Sequence, residues 1–225
     1  MQIRSDFLSR AVVRPGDENF IPSPLPGVDR LMLDRIGDEV ARATSIVRYA
    51  TGSSFNEHVH DEGEEFIVLD GVFSDENGDY PAGTYVRNPP GSRHTPFSKD
   101  GCTILVKLRQ FDSADLTRVV INTHTTDWFP GVVEGLSVMP LHEYGAEHVA
   151  LVRWAPGTVF KPHLHFGGEE IFVLDGTFCD EHGSYPKGSW LRSPHMSRHH
   201  PFSEEGCTIL VKTGHLPVED GAIAV

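Results

Sequence analysis

His58 and His60 stand one residue apart, Glu64 follows after three intervening residues, and His94 comes 30 positions further along. His163, His165, Glu169 and His199 repeat the same four residue types at the same spacing. In a strand, alternate residues share a face, so each His-x-His pair presents two imidazoles in one direction. Imidazole nitrogen and carboxylate oxygen suit iron, manganese, nickel, copper or zinc, and a divalent ion offsets the cost of burying a carboxylate. The chemistry expected is one divalent transition metal per set, held by three histidines and a glutamate without a thiolate. Four protein ligands fit an octahedral iron, manganese or nickel ion with open positions, or a closed tetrahedral zinc. The spacing leaves that choice open.

The elements that position these residues come as a duplication. A shift of 105 residues brings Arg48–Lys107 onto Arg153–Lys212 without a gap, with about 35 of 60 positions identical. Weaker similarity upstream sets Pro26-Gly27-Val28 against Pro130-Gly131-Val132 if one residue is inserted. The organisation expected is a first unit over 1–107 with core 48–107, a linker or arm over 108–127, a second unit over 128–215 with core 153–212, and a tail over 216–225. Apolar runs such as Phe66-Ile67-Val68-Leu69 and Thr103-Ile104-Leu105-Val106, each with its copy, are rich in strand formers. Asn77-Gly78 and His182-Gly183 sit where tight turns belong. Many short strands between regular turns predict an all-β sandwich or barrel. Only Leu31–Ala43, polar and rich in helix formers, stays ambiguous.

The chain carries 32 acidic against 19 basic residues, a net charge of −13 with histidine neutral, which argues against nucleic-acid or anionic-membrane partners. No apolar stretch approaches the roughly 20 residues of a membrane span, and Met1–Arg10 lacks the apolar core of a secretory signal. Three cysteines are too few and too odd a number for a disulfide framework, which makes a cytoplasmic protein the expectation. Cys102 and Cys207 hold equivalent places at the head of a β run and read as buried thiols, while Cys179 faces Ser74 in the copy and is no required nucleophile. Of the 13 histidines, His124, His142, His148 and His215 have no repeated partner and read as surface residues.

Beside the metal set, Glu65 and Glu170 should point the opposite way by strand alternation. Tyr85 with Arg87, and Trp190 with Arg192, alternate on strands leading toward the third histidine and are candidates for a pocket that binds an oxygen-rich substrate. Asp75-Glu76-Asn77-Gly78-Asp79 lacks the ligand pattern of a calcium loop and reads as a hairpin turn.

Gly52-x5-His58-x-His60-x3-Glu64-x6-Gly71 and Gly157-x5-His163-x-His165-x3-Glu169-x6-Gly176 resemble the first cupin motif. Gly83-x5-Pro89-x-Gly91-x2-His94 resembles the second, while its copy, Gly188-x5-Pro194-x-Met196-x2-His199, has Met196 for a glycine. That replacement could reshape the turn, and His200 could then compete with His199. Ser98 and Ser203 stand where the family often has Asn. The run EEFIVLDGVFSDENGDYPAGTYVRNPPGSRH is closer still to the ChrR-type cupins, over nearly all of both units. The resemblance implies two tandem double-stranded β-helix (jelly-roll) barrels, each holding zinc or iron, manganese or nickel. It also implies a regulatory or sensory protein answering a small molecule or oxidative stress. That family's anti-sigma factor carries His and Cys zinc ligands in an N-terminal domain, and here no His precedes His58 and no Cys precedes Cys102. A sigma-factor partner is therefore not expected. Other cupins imply the alternative, an oxygenase acting on a small dicarbonyl or phenolic compound. Either way the expected partner is a small molecule, and a homodimer would be compatible with the reading.

Overall fold

The computed structural model describes residues 1–218, and every regular element among them is a β-strand. None is a helix long and apolar enough to cross a membrane. Leu31–Ala43, ambiguous in sequence, is the antiparallel hairpin of Val28–Gly37 with Ala41–Tyr49, because its apolar positions serve strand faces rather than a helical stripe. The chain forms two compact units: Met1–Ser5 with Glu18–Thr126, and Asp6–Asp17 with the chain from Asp127 onward.

In unit 1 the main antiparallel sheet runs Gln2–Ile3, Val28–Gly37, Ala41–Tyr49, Cys102–Leu108, Glu64–Asp75, Thr84–Asn88, Val119–Asn122. Shorter pairs close the other wall, His58–His60 against Ser92–His94 and Ser53–Ser54 against Phe97–Ser98. Inward residues from these strands fill the barrel with a core that includes Phe66, Phe73, Tyr80, Val86 and Ile104. Phe66 and Phe73 meet at 4.7 Å between ring centroids. Unit 2 repeats the order from Leu136–Tyr144 to Trp190–Ser193, with Phe129–Pro130 paired as Ile21–Pro22 is in unit 1, around Trp154, Phe178, Tyr185 and Ile209. Cys102, Cys179 and Cys207 are buried free thiols, and burial pushes the Cys207 thiol up to about 11.

The unit boundaries differ from those drawn on the repeat. The supposed linker 108–127 supplies unit 1 with an edge strand, Val119–Asn122, pairing Arg87 with Val119. Its equivalent in unit 2 is Ala11–Val13, which pairs Ala11 with Arg192. Leu8-Ser9-Arg10 thus answers Leu116-Thr117-Arg118, a repeat at a shift of 108 that the core shift of 105 conceals. The same shift governs the first hairpins, where Val28 pairs with Tyr49 and Leu136 with Trp154, so Val28 answers Leu136 rather than Val132. Leu216 is buried, and its N–H bonds to the Gly167 carbonyl, so the second unit runs past 215. The rest of the expected tail, 219–225, lies outside the described residues.

Candidate metal centres

The long strand Glu64–Asp75 does not alternate regularly. Against Cys102–Leu108 it pairs Thr103 with Asp70 but Ile104 with Val68, leaving Leu69 as an extra residue. Such a bulge reverses which face the following residues present. Glu64, Phe66 and Val68 face inward before it, and Phe73 and Asp75 face inward after it, so one strand delivers two carboxylates to the interior. Gly71 follows the bulge at φ +72, where a Cβ would stand 2.2 Å from the Gly101 carbonyl oxygen. Val173, Leu174 and Gly176 repeat the device in unit 2.

Across the pair His58–His60 and Ser92–His94, His58 lies opposite His94. The three imidazoles gather with ring centroids 4.8–5.0 Å apart. His60 Nε2 and His94 Nε2 are 2.9 Å apart, and Glu64 Oε2 is 3.4 Å from the first and 3.5 Å from the second. Two nitrogens each about 2.1 Å from a shared ion and at right angles lie about 3.0 Å from each other. The outer ring atoms fit that use. His58 Nδ1 donates to the Asn56 carbonyl at 3.0 Å, which leaves the lone pair on Nε2. His94 Nδ1 faces Asp75 Oδ2 at 3.3 Å, the carboxylate–histidine arrangement that orients metal ligands. Asn88 Nδ2 donates to Glu64 Oε2 at 3.1 Å. Burial lowers the pKa of His60 despite the neighbouring Glu64. Burial lowers His94 too, but Asp75 and Glu64 outweigh it and the net shift is upward.

Unit 2 gathers His163, His165 and His199 in the same way. His199 Nε2 is 3.0 Å from His165 Nε2 and 3.3 Å from His163 Nε2, while Glu169 lies 3.3 Å from His165 and 3.5 Å from His199. His163 Nδ1 donates to the Lys161 carbonyl at 3.0 Å. Met196 leaves the turn unchanged: its N–H bonds to the His165 carbonyl at 2.9 Å, as Gly91 bonds to His60 at 2.8 Å, and it takes φ +59 to do so. His199 therefore holds the site, and His200 is exposed outside it. The surroundings differ, however. Ser193 stands where Asn88 stands, and Asp180, which accepts the Tyr185 hydroxyl as Asp75 accepts that of Tyr80, gives its other oxygen to Arg10 at 2.5 Å. Burial then dominates: Glu169 is pushed up to about 8, and His165 and His199 are pulled down to about 3 and about 4.

Tyr85, Arg87, Trp190 and Arg192 are not cavity residues. They face away from the barrel interior and are at most 1% exposed. Tyr85 and Arg87 donate to Glu65 at 3.1 and 2.9 Å, and Arg87 also binds Asp115 at 2.7 Å. Trp190 donates to Glu170 at 2.7 Å, and Arg192 lies over the Phe7 ring. Arg87 neutralises Glu65, Trp190 gives Glu170 a hydrogen bond, and the two arginines tie the edge segments down through Asp115 and Phe7. His215 belongs with them, its side chain 2% exposed and Nε2 3.2 Å from Glu170, and is not a surface residue. Asp75, Asn88 and Arg30 were missed as site residues. The recurrence of Asp75 as Asp180 was the signal for the first; no repeat marks the other two.

Each histidine set opens on a cavity. In unit 1 it measures about 520 Å³ and reaches from His58, His60 and Glu64 past Tyr49 and Phe55 to Arg30. In unit 2 it measures about 280 Å³ and is walled mostly by apolar side chains such as Val138, Val152 and Trp154.

Solved structures that share this architecture at low sequence identity include three with a described identity or ligand. A candidate dioxygenase from Nostoc punctiforme PCC 73102 superposes with a TM-score of 0.73 at 14% identity, covering 92% of this chain and 79% of its own. A variant of Bacillus subtilis oxalate decarboxylase gives 0.62 at 13% identity, covering 91% and 77%. Escherichia coli pirin YhhW, in complex with nickel(II), gives 0.65 at 13% identity, covering 93% and 99%. No curated protein matches the sequence. The model of the ChrR cupin-like domain matches residues 8–112 and again 116–217, each match opening at the leucine, Leu8 or near Leu116, that begins an edge segment, and the chain belongs to that family as a tandem of two such domains.

Proposed function

We propose that the protein is a metal-dependent enzyme of the oxygenase type acting on a small oxygen-rich compound, with its working centre in unit 1. His58, His60, Glu64 and His94 would hold a divalent transition metal. The observation that carries this reading is the opening of that cluster on a cavity of about 520 Å³, within the range of small-molecule sites, rather than into a closed core. When bound, the ion would supply Lewis acidity and, if iron or manganese, redox chemistry at the substrate oxygens. The chain's own residues do the rest. Asp75 holds His94 by Nδ1, Asn88 holds Glu64, and Tyr49, Phe55 and Ile104 wall the cavity against water.

A regulatory reading has one specific support, the match to the ChrR cupin-like family. In that case the same cavity would take a small effector, and the ion would be a closed zinc. Metal analysis of protein purified without added metal, followed by oxygen uptake of the iron-loaded form with β-diketones, catechols and their carboxylated forms, separates the two. Oxygen uptake dependent on iron is expected; tight stoichiometric zinc with no uptake would favour the sensor. Replacing His58 and His60 by Ala should reduce bound metal from two ions to one per chain. Retention of both ions would show the ligands to be others.

A further inference from the structure

Unit 1 departs from unit 2 at one wall of its cavity. Arg30 pairs with Val47, and Val138 with Val152, in hairpins that otherwise correspond, so Arg30 and Val138 hold equivalent places. The hairpin ends also differ. Ile36 pairs with Arg42 across five residues, whereas Tyr144 pairs with Glu147 across two. The longer turn brings Glu39 onto Arg30, Nη1 to Oε2 at 3.1 Å and Nη2 to Oε1 at 3.4 Å. Glu39 is 65% exposed while Arg30 is 16% exposed. Arg30 Nε is buried and meets no acceptor. Arg109 lines the same cavity but is taken by Glu62 and Asp61.

A guanidinium set in a cavity wall, with one donor unmatched and a solvent-exposed counter-ion, is built to exchange that counter-ion. A carboxylate entering the cavity can take the same fork of donors, and Arg binds carboxylates in this two-toothed manner. Glu39 loses little by returning to water, since its carboxylate is already mostly solvated and an ion pair with one partner so exposed is weakened by screening. We propose that the cavity of unit 1 takes a small acid whose carboxylate displaces Glu39 from Arg30 while an oxygen at its other end faces the His58, His60, Glu64 and His94 centre. Unit 2, with Val138 and no extended turn, takes no such acid. The second half of this assignment rests on the proposed metal centre; the Arg30 contact does not.

The test is calorimetric titration of metal-saturated, full-length protein with malonate, succinate, glutarate and adipate, with glutaramide as the uncharged control and metal content measured on the same samples. At least one diacid should bind, at least tenfold more tightly than glutaramide. Arg30→Met should weaken it at least tenfold with metal content unchanged. Glu39→Gln, at a side chain 65% exposed, should tighten it at least threefold by removing the competitor. Binding of none of the four diacids, equal binding of the diamide, or indifference to both substitutions would overturn the proposal. Diacid binding through Arg30 in protein that holds no metal at His58 and His60 would refute the metal reading alone.

Discussion

Asp75 separates the two centres at the scale of single residues. Both Asp75 and its counterpart Asp180 accept a tyrosine hydroxyl, but the second oxygen of Asp75 faces His94 Nδ1 whereas that of Asp180 is taken by Arg10. Carboxylates that orient a metal-ligating imidazole typically contribute about 10- to 100-fold in metal affinity. Asp75→Asn is therefore expected to weaken the unit 1 site by about that factor, read by competition with a chromophoric chelator, while Asp180→Asn leaves the unit 2 affinity nearly unchanged. Equal losses at both sites would contradict the assignment. Unit 2 has a proton signature instead. Its Glu169 carboxyl, raised by burial from 4.5 to about 8, carries a proton at pH 7 when no metal is bound, and a metal ion must displace it. Metal binding to a His58→Ala/His60→Ala protein should thus release a proton from this carboxyl at pH 7 and none at pH 9.5, measured calorimetrically in buffers of different ionisation heat. The stability of metal-free unit 2 follows from the same shifts. A raised carboxyl stabilises the fold below 4.5 and loses that contribution as pH rises through about 8. The lowered His165 and His199 stabilise it above 6.5 and lose theirs as pH falls through about 4 and about 3. The thermal midpoint should peak near pH 6.5, and bound metal should flatten the alkaline side.

Turns and strands carry the next set of constraints. Met196 adopts φ +59 where Gly91 adopts +81, and an ideal Cβ on Gly91 would meet nothing within 4 Å. The cost of a side chain there is conformational: about 1–2 kcal/mol for a non-glycine in the left-handed region, offset in part by the greater unfolded freedom of glycine. Met196→Gly should stabilise unit 2 by about 1 kcal/mol, and Gly91→Met should destabilise unit 1 by a similar amount, both measured by denaturant unfolding with metal present. A loss of stability in Met196→Gly would mean that the exposed Met side chain has packing the turn geometry does not reveal. The gathering of three histidines and a glutamate was legible in sequence because both copies keep the same four residue types at fixed spacing, and strand alternation alone put His58 with His60. Asp75 recurs in the repeat, but its neighbours give it the look of a turn residue, since the bulge at Leu69 that turns it inward leaves no mark except Gly71. Tyr85 and Arg87 failed as pocket candidates for a related reason. Alternation predicted a shared face for them, but nothing in their types said that the face would be the outer one, closed over by Phe111 and Asp115.

For the whole chain, the consequence is that each unit depends on a segment the repeat did not assign to it. Unit 1 takes its edge strand from the residues that follow its barrel, and unit 2 takes the equivalent strand from near the N-terminus. The equivalence escaped the sequence comparison because the hairpin turn in unit 1 is longer by three residues, which changes the repeat shift between the edge segments and the cores. In unit 2 the segment does more than add hydrogen bonds. Phe7 lies 4.4 Å from the Arg192 guanidinium, and Arg10 binds Asp180 and Tyr185, so it covers one buried cation and neutralises one buried acid. Removing one partner of a buried pair leaves an uncompensated charge, at a cost of about 3–5 kcal/mol. A Phe7→Ala/Arg10→Ala protein should therefore lose amide-exchange protection across Trp190–Ser193 and Glu169–Asp180 while Thr84–Asn88 in unit 1 exchanges as before. Since those strands carry Glu169 and lead to His199, bound metal should also fall toward one ion per chain, retained by unit 1. Equal loss of protection in both units would mean that the edge segments stabilise the chain as one cooperative body, and unchanged protection would mean that Ala11–Val13 is dispensable to unit 2.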